Sequence, residues 1–400
     1  MNLLLPPYRA YRRQAFRANG WTDQYGALQT AAAYAGTSVS ARRFNAVWQH
    51  GCFGPWVEYS PELLTYSTPN ARALPVFVAR EEQAELLRRN GFGQAEAIGL
   101  PIVYAAEDPV QRWSRSLLVV PTHTLSGAGG IDRGLCERYA EEIDGARQAF
   151  DHVAVCIHPH CRKNGLWIDE FARRGIPIVD GAAPDDVNAL ARMRALFSQF
   201  ETVTTNGWGS HVAYALAFGA RVSIDGTEVL CSKEGMLRDA TWAADPKVLE
   251  TARAPAMRER ILDFTRPFRV APGDAVADPA LGRWLIGADR RLSPAEMGAL
   301  LARVTAASDL VAPDSMAALV AERGRVRAQA ADFAAAGGGE KAAALLLSYL
   351  RRVVDARNAR FLCETLEWVA GDLAAVDPEK ARLVKAQADK LATRIAGPCP

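Results

Sequence analysis

Between residues 116 and 226 the chain alternates short apolar runs with amphipathic stretches of ten to eighteen residues, and few folds accept that alternation. "SLLVVP" (116–121), "HVAVCI" (152–157), "IPIVDGA" (176–182), "ETVTTN" (201–206) and "RVSIDG" (221–226) read as strands. "RGLCERYAEEIDGARQAF", "LWIDEFARRG", "DDVNALARMRALFSQF" and "SHVAYALAFG" lie between them and read as helices, one stopped by Gly175 and one opened by Asp185 and Asp186. Strands that alternate with helices of this length return parallel to one another. The pattern therefore predicts βαβ units and a parallel sheet with helices on both faces, a Rossmann-like domain placed at 115–240.

The same grammar is weaker before it and absent after it. "FNAVWQHGCFGPW", "LPVFVAR" and "AEAIGLP" hold short strands around the helix "EEQAELLRRNGFG", so residues 1–114 read as an N-terminal α/β domain. Beyond about residue 288 the sequence is rich in Ala, Leu and Arg at helical spacing, and 241–400 reads as a linker and helical C-terminal region. No strand precedes Gly337–Gly339, so this glycine run reads as a break between helices and not as a phosphate cradle. A chain of 400 residues exceeds what one core usually supports, which agrees with more than one domain.

Composition excludes several classes. Lys and Arg number 47 against 45 Asp and Glu, so net charge argues for no nucleic-acid partner. The seven cysteines form no CxxC pair, which fits a reducing cytoplasm better than a disulfide framework or a zinc ribbon. The start "MNLLLPPYRAYRRQAF" lacks the order of a signal peptide, and no apolar run reaches the roughly 18 residues of a spanning helix. A soluble cytoplasmic protein is expected, with room for a peripheral contact at the inner membrane.

Ligands in open α/β sheets bind outside the carboxyl ends of the strands. Of six histidines, His50, His123, His158, His160 and His211 follow predicted strand ends, whereas His152 opens a strand and reads as structural. In "HPHCRKN", Pro159 stiffens the turn, His158 can donate to an anion, and Arg162 with Lys163 can offset its charge. "TTNGWGSH" sets Gly207 and Gly209 before a helix whose first N–H groups are unpaired, so Asn206 or Ser210 caps it or a ligand anion does. This loop is not GxGxxG, and the chain has no Walker motif. Asp180, ending its strand before Gly181 and Ala182, is the carboxylate best placed for nucleophilic or acid-base work. Asp185 and Asp186 read as helix-cap residues.

"IGLPIVY" (98–104), "CIHPHC" (156–161) and above all the stretch from Val179 to Gly226 resemble bacterial surface-polysaccharide glycosyltransferases of GT-B architecture. Within these, the retaining β-Kdo transferases of O-antigen and capsule assembly are the nearest likeness, which covers about residues 45–230. The resemblance implies two Rossmann-like domains facing a cleft, extended here by the helical C-terminal region. It also implies transfer of Kdo, an eight-carbon ulosonic acid, from CMP-Kdo to a glycan acceptor that can be lipid-linked. His158, Pro159, Arg162, Lys163, Gly181, Asn206, Gly209, Ser210 and His211 would then hold the nucleotide sugar. Asp180 would be the nucleophile of a double displacement, with His50 and His123 serving acceptor binding or proton transfer. No cofactor is implied, and no DxD loop suggests a metal, so EDTA is expected to have no effect. The helical region can dock an assembly partner or the membrane surface. The alternatives are another CMP- or CDP-dependent transferase, sialyltransferase-like or a glycerophosphotransferase, and a non-catalytic scaffold of polysaccharide assembly.

Overall fold

The computed structural model describes residues 13–14, 24–37, 44–54, 61–65, 68, 71–107, 109–123, 131–229, 233–236, 250, 254–306, 323, 326–355 and 359–396. The chain divides into two compact units, residues 1–305 and 306–400. Both sheets lie in the first. Strands β1 (Val47–Trp48), β2 (Val76–Val78) and β3 (Ala95–Ala97) form a parallel sheet in that order. Strands β4 (Trp113–Val119), β5 (His152–Ile157), β6 (Ile178–Asp180), β7 (Phe200–Thr205) and β8 (Arg221–Ile224) form a second parallel sheet ordered β6-β5-β4-β7-β8. The expected α/β class with parallel sheets is observed.

Alternation along the central strands explains both covered faces. Leu117 and Val119 of β4 and Val155 and Ile157 of β5 pack with Tyr139 and Ile143 of helix α3 (Arg133–Ala146) and with Trp167 and Phe171. Leu118, Ala154 and Val203 turn the other way, into a cluster with Met193 and Leu196 of α6 (Ala189–Gln199) and Val212 and Leu216 of α7 (Ser210–Ala217). A strand buried on both faces reads as a continuous apolar run, as "SLLVV" does. Two further short helices, α4 (Pro159–Lys163) and α5 (Ile168–Arg173), complete the crossover from β5 to β6.

The first sheet is covered by α1 (Ala27–Tyr34), α2 (Glu81–Arg89) and a return of the chain from far downstream. After α8 (Pro255–Thr265), helix α9 (Pro279–Ile286) crosses α7 at Gly282, where a Cβ would stand 2.1 Å from the Ala217 nitrogen. Then α10 (Pro294–Ala306) reaches the first sheet, with Asn45 N–H donating to the Val304 carbonyl at 3.2 Å and Arg303 paired to Glu96 at 2.7 Å. The first compact unit thus runs past the expected boundary at residue 240, because these returning helices finish its core. Asp185 and Asp186 are not caps of α6, which begins at Ala189. Asp186, fully buried, is bonded to Arg192 and accepts from the Gln14 and Asn188 N–H groups, while Asp185 pairs with Arg13 at 3.0 Å.

The second unit is helical: residues 326–335, α11 (Gly339–Asp355), α12 (Ala359–Ala374) and α13 (Pro378–Ala396). Its own core contains Ala342, Leu346, Tyr349, Val369, Leu373 and Ala388. The glycine run does break helices, with Gly337 at φ 78°. Among the described residues no helix is long and apolar enough to cross a membrane.

Candidate active site

Counted from β4, the second sheet has the order 3-2-1-4-5, so its strand direction of travel switches between β4 and β7. Such a switch point splays the loops that follow the two strands and opens a crevice. The crevice is present as a cavity of about 350 Å³. Val120, Pro121, Thr122 and His123 enter it after β4, His158 after β5, Gly181 and Ala182 after β6, and Trp208 through His211 after β7. From the first unit's other sheet come His50 and Gly51, just beyond β1. Leu190, Met193, Phe197 and Tyr214 supply the apolar wall.

Four of the predicted histidines therefore meet, and among the described residues that line the cavity there is no Asp, Glu, Lys or Arg. His158 is the best determined. Its Nδ1 accepts the His160 N–H at 3.2 Å and caps α4, so the proton of the neutral ring is on Nε2. That Nε2 is buried and has no partner among the described residues; the Thr122 Oγ1 nearby in the wall is in the same condition. The His123 ring stacks on His158 with centroids 4.4 Å apart and planes at 21°. His211 Nε2 and Thr205 Oγ1 share a hydrogen bond of 2.9 Å. Gly209 has to be glycine for that ring to sit there, since a Cβ would come within 2.7 Å of His211 Cε1.

Burial sets the charge of the cluster. Desolvation pulls His50 and His211 down to about 4 and His158 to about 3, with His123 lowering the last two further and His160 also lowering His158. A backbone hydrogen bond at Gly207 works in the opposite direction on His211. At neutral pH these three rings are uncharged. They offer N–H donors and ring-nitrogen acceptors in a largely apolar chamber, which suits oxygen-rich ligands and proton transfer.

Several other predicted residues hold the frame and do not line the cavity. Asn206 spends its amide on structure, accepting from Thr122 N–H and donating to the Thr227 carbonyl, both at 2.8 Å, and so ties the two loops of the switch point. Ser210 does line the cavity, yet its Oγ accepts the Cys52 N–H at 2.8 Å and does not cap its own helix. Tyr214 donates to the His50 carbonyl at 2.9 Å, a second tie between α7 and the β1 loop. Asp180 is exposed, paired with Arg162 at 2.8 Å, and neither is a lining residue. The last side chain of β6 is turned to solvent and held by Arg162, and it is the two small residues after it, Gly181 and Ala182, that enter the wall. Pro159 occupies the first turn of α4, and Lys163 ends that helix exposed to solvent.

Tyr25 is a lining residue that the motifs miss. Its N–H donates to the Pro184 carbonyl at 2.8 Å, and its ring centroid lies 5.4 Å from that of His50. The backbone there is left-handed at Tyr25 (φ 61°) and Gly26 (φ 69°), where a Cβ on Gly26 would strike the Val187 carbonyl at 2.4 Å. Trp208, inside "GWGS", was the legible signal for a second aromatic wall. No protein-family model matches the chain, and no curated protein matches its sequence.

Proposed function

We propose that the chain is a glycosyltransferase and that the histidine-lined cavity takes the nucleotide sugar, CMP-Kdo by the resemblance, for transfer to a surface-polysaccharide acceptor. The observation that carries the reading is the orphaned His158 Nε2–H at a topological switch point. A buried donor left unmade costs about 1–3 kcal/mol, which a phosphate, carboxylate or sugar oxygen would recover on binding. The start of α7, which has no side-chain cap, points the same way, because a helix N-terminus favours an anion.

The chemistry assigned to this chain's residues is limited to what the wall provides. His158 donates to a donor-substrate oxygen, His123 stacks behind it, and His50 and His211 stand within the same chamber to bind or relay a proton. Asp180, held by Arg162 outside the wall, is given no part in the proposal. The membrane or assembly contact of the helical region remains a proposal on its sequence alone.

Titration calorimetry with CMP and CMP release from CMP-Kdo in the presence of synthetic O-antigen acceptors test the reading. His158→Asn keeps a side-chain oxygen for the α4 cap and removes the Nε2–H. Binding by the wild type, weakened by about tenfold in the variant, is the expected result. Absence of CMP binding and of CMP release in the folded wild type would sink it.

A further inference from the structure

We infer that the carboxyl edge of the first sheet carries a saccharide-binding shelf whose floor is the Trp284 indole. Two residues beyond β2, Arg80 is 3% exposed, its guanidinium held by Glu82 at 2.5 Å and by the carbonyls of Phe53 at 3.2 Å and Leu285 at 3.4 Å. Trp284 of α9 lies over that guanidinium, 4.1 Å from ring centroid to Cζ, and is nevertheless 39% exposed. An indole clamped on a fixed cation is a rigid platform, because neither partner is free to rotate.

Around it is a depression of about 430 Å³ lined by Ala280, Arg283, Trp284, Ala288 and Asp289. The two alanines leave room above the helix surface, while Arg283 and Asp289 bring donors and acceptors to the rim. A pyranose ring has this same division, an apolar C–H face and a hydroxylated edge. A lipid surface or a docking protein would instead call for a contiguous apolar patch of several hundred Å². Among the described residues the exposed large hydrophobic side chains are Trp284 and, in the other unit, Leu383.

The shelf shares a hydrogen-bonded frame with the histidine cavity. Leu285, next to Trp284, accepts from Cys52 Sγ at 3.6 Å, and the Cys52 N–H donates to Ser210 Oγ in the cavity wall. As a saccharide site the shelf stands by itself; as the acceptor's place it rests on the transferase reading.

The test uses the full chain on a printed array of bacterial surface oligosaccharides, as wild type, Trp284→Ala and Trp284→Phe, with a CMP titration of each. Retention of one glycan class by the wild type is expected, reduced at least about tenfold by Trp284→Ala and kept within about threefold by Trp284→Phe. CMP affinity should be equal in all three. No glycan retained by the wild type, or equal retention by Trp284→Ala, overturns the shelf. Glycan retention without CMP binding upholds the shelf and removes the transferase reading.

Discussion

A single imidazole shows how burial converts a residue type into a tool. His158 is tautomerically fixed because the cap of α4 takes its Nδ1, and this leaves a buried Nε2–H with no partner among the described residues. Histidine placement after strands was legible in the sequence, since βαβ connectivity puts every such residue at one edge of the sheet. Which of the polar neighbours share the crevice was not. Asp180 and Arg162 read as a nucleophile and an anion ligand, yet they satisfy each other in an exposed pair, and such pairs are worth about 0–1 kcal/mol. Asp180→Ala is accordingly expected to leave CMP affinity and CMP release within about threefold of wild type. A folded Asp180→Ala protein without turnover would instead show that the pair with Arg162 opens during the reaction. Arg192 is different in kind: fully enclosed with Asp186 and also donating to the Gly181 carbonyl, it positions the cavity loop from behind.

At the scale of elements, the crossing of α7 and α9 decides how closely the two sheets' coverings approach. In an ordinary exposed helix, replacing glycine by alanine stabilises by about 1 kcal/mol. Gly282 reverses the sign, because the added Cβ would meet backbone atoms of Leu216 and Ala217 that have no side-chain rotamer to give way. Gly282→Ala should lower the midpoint of urea unfolding by the equivalent of about 1–3 kcal/mol and weaken CMP binding as α7 shifts. An unchanged midpoint would mean that the helices separate at no cost. Strands β5 to β8 were readable within a residue or two, β5 to the residue, and β4 within three, from apolar runs bounded by turns. Nothing local announces the return of α9 and α10 to the first sheet. Their apolar stripes state that each must pack, while the partner is chosen by contacts between residues more than two hundred and fifty positions apart, such as Asn45 with Val304.

For the whole molecule, the buried histidines couple stability to pH. His50 and His211 at about 4 and His158 at about 3 lie below the ordinary histidine value of 6.5. Between those limits the unfolded chain holds protons that the folded one does not, so stability falls as pH drops from about 6.5 towards 4. Thermal unfolding followed from pH 7.5 to 4 should show a falling Tm, with a shallower fall in His50→Gln. Identical slopes would assign the acid sensitivity to other groups. By itself the sequence determined the α/β class and the edge of the sheet where the histidines gather, because periodicity and βαβ handedness are local properties that need no partner to be read. Tertiary structure alone decided that β6 is an outer strand, that Asn206 ties two loops together, that Tyr25 enters the cavity, and that Trp284 rests on Arg80. Those outcomes depend on strand order and on which distant segments share a core, and no periodicity in a linear pattern encodes either.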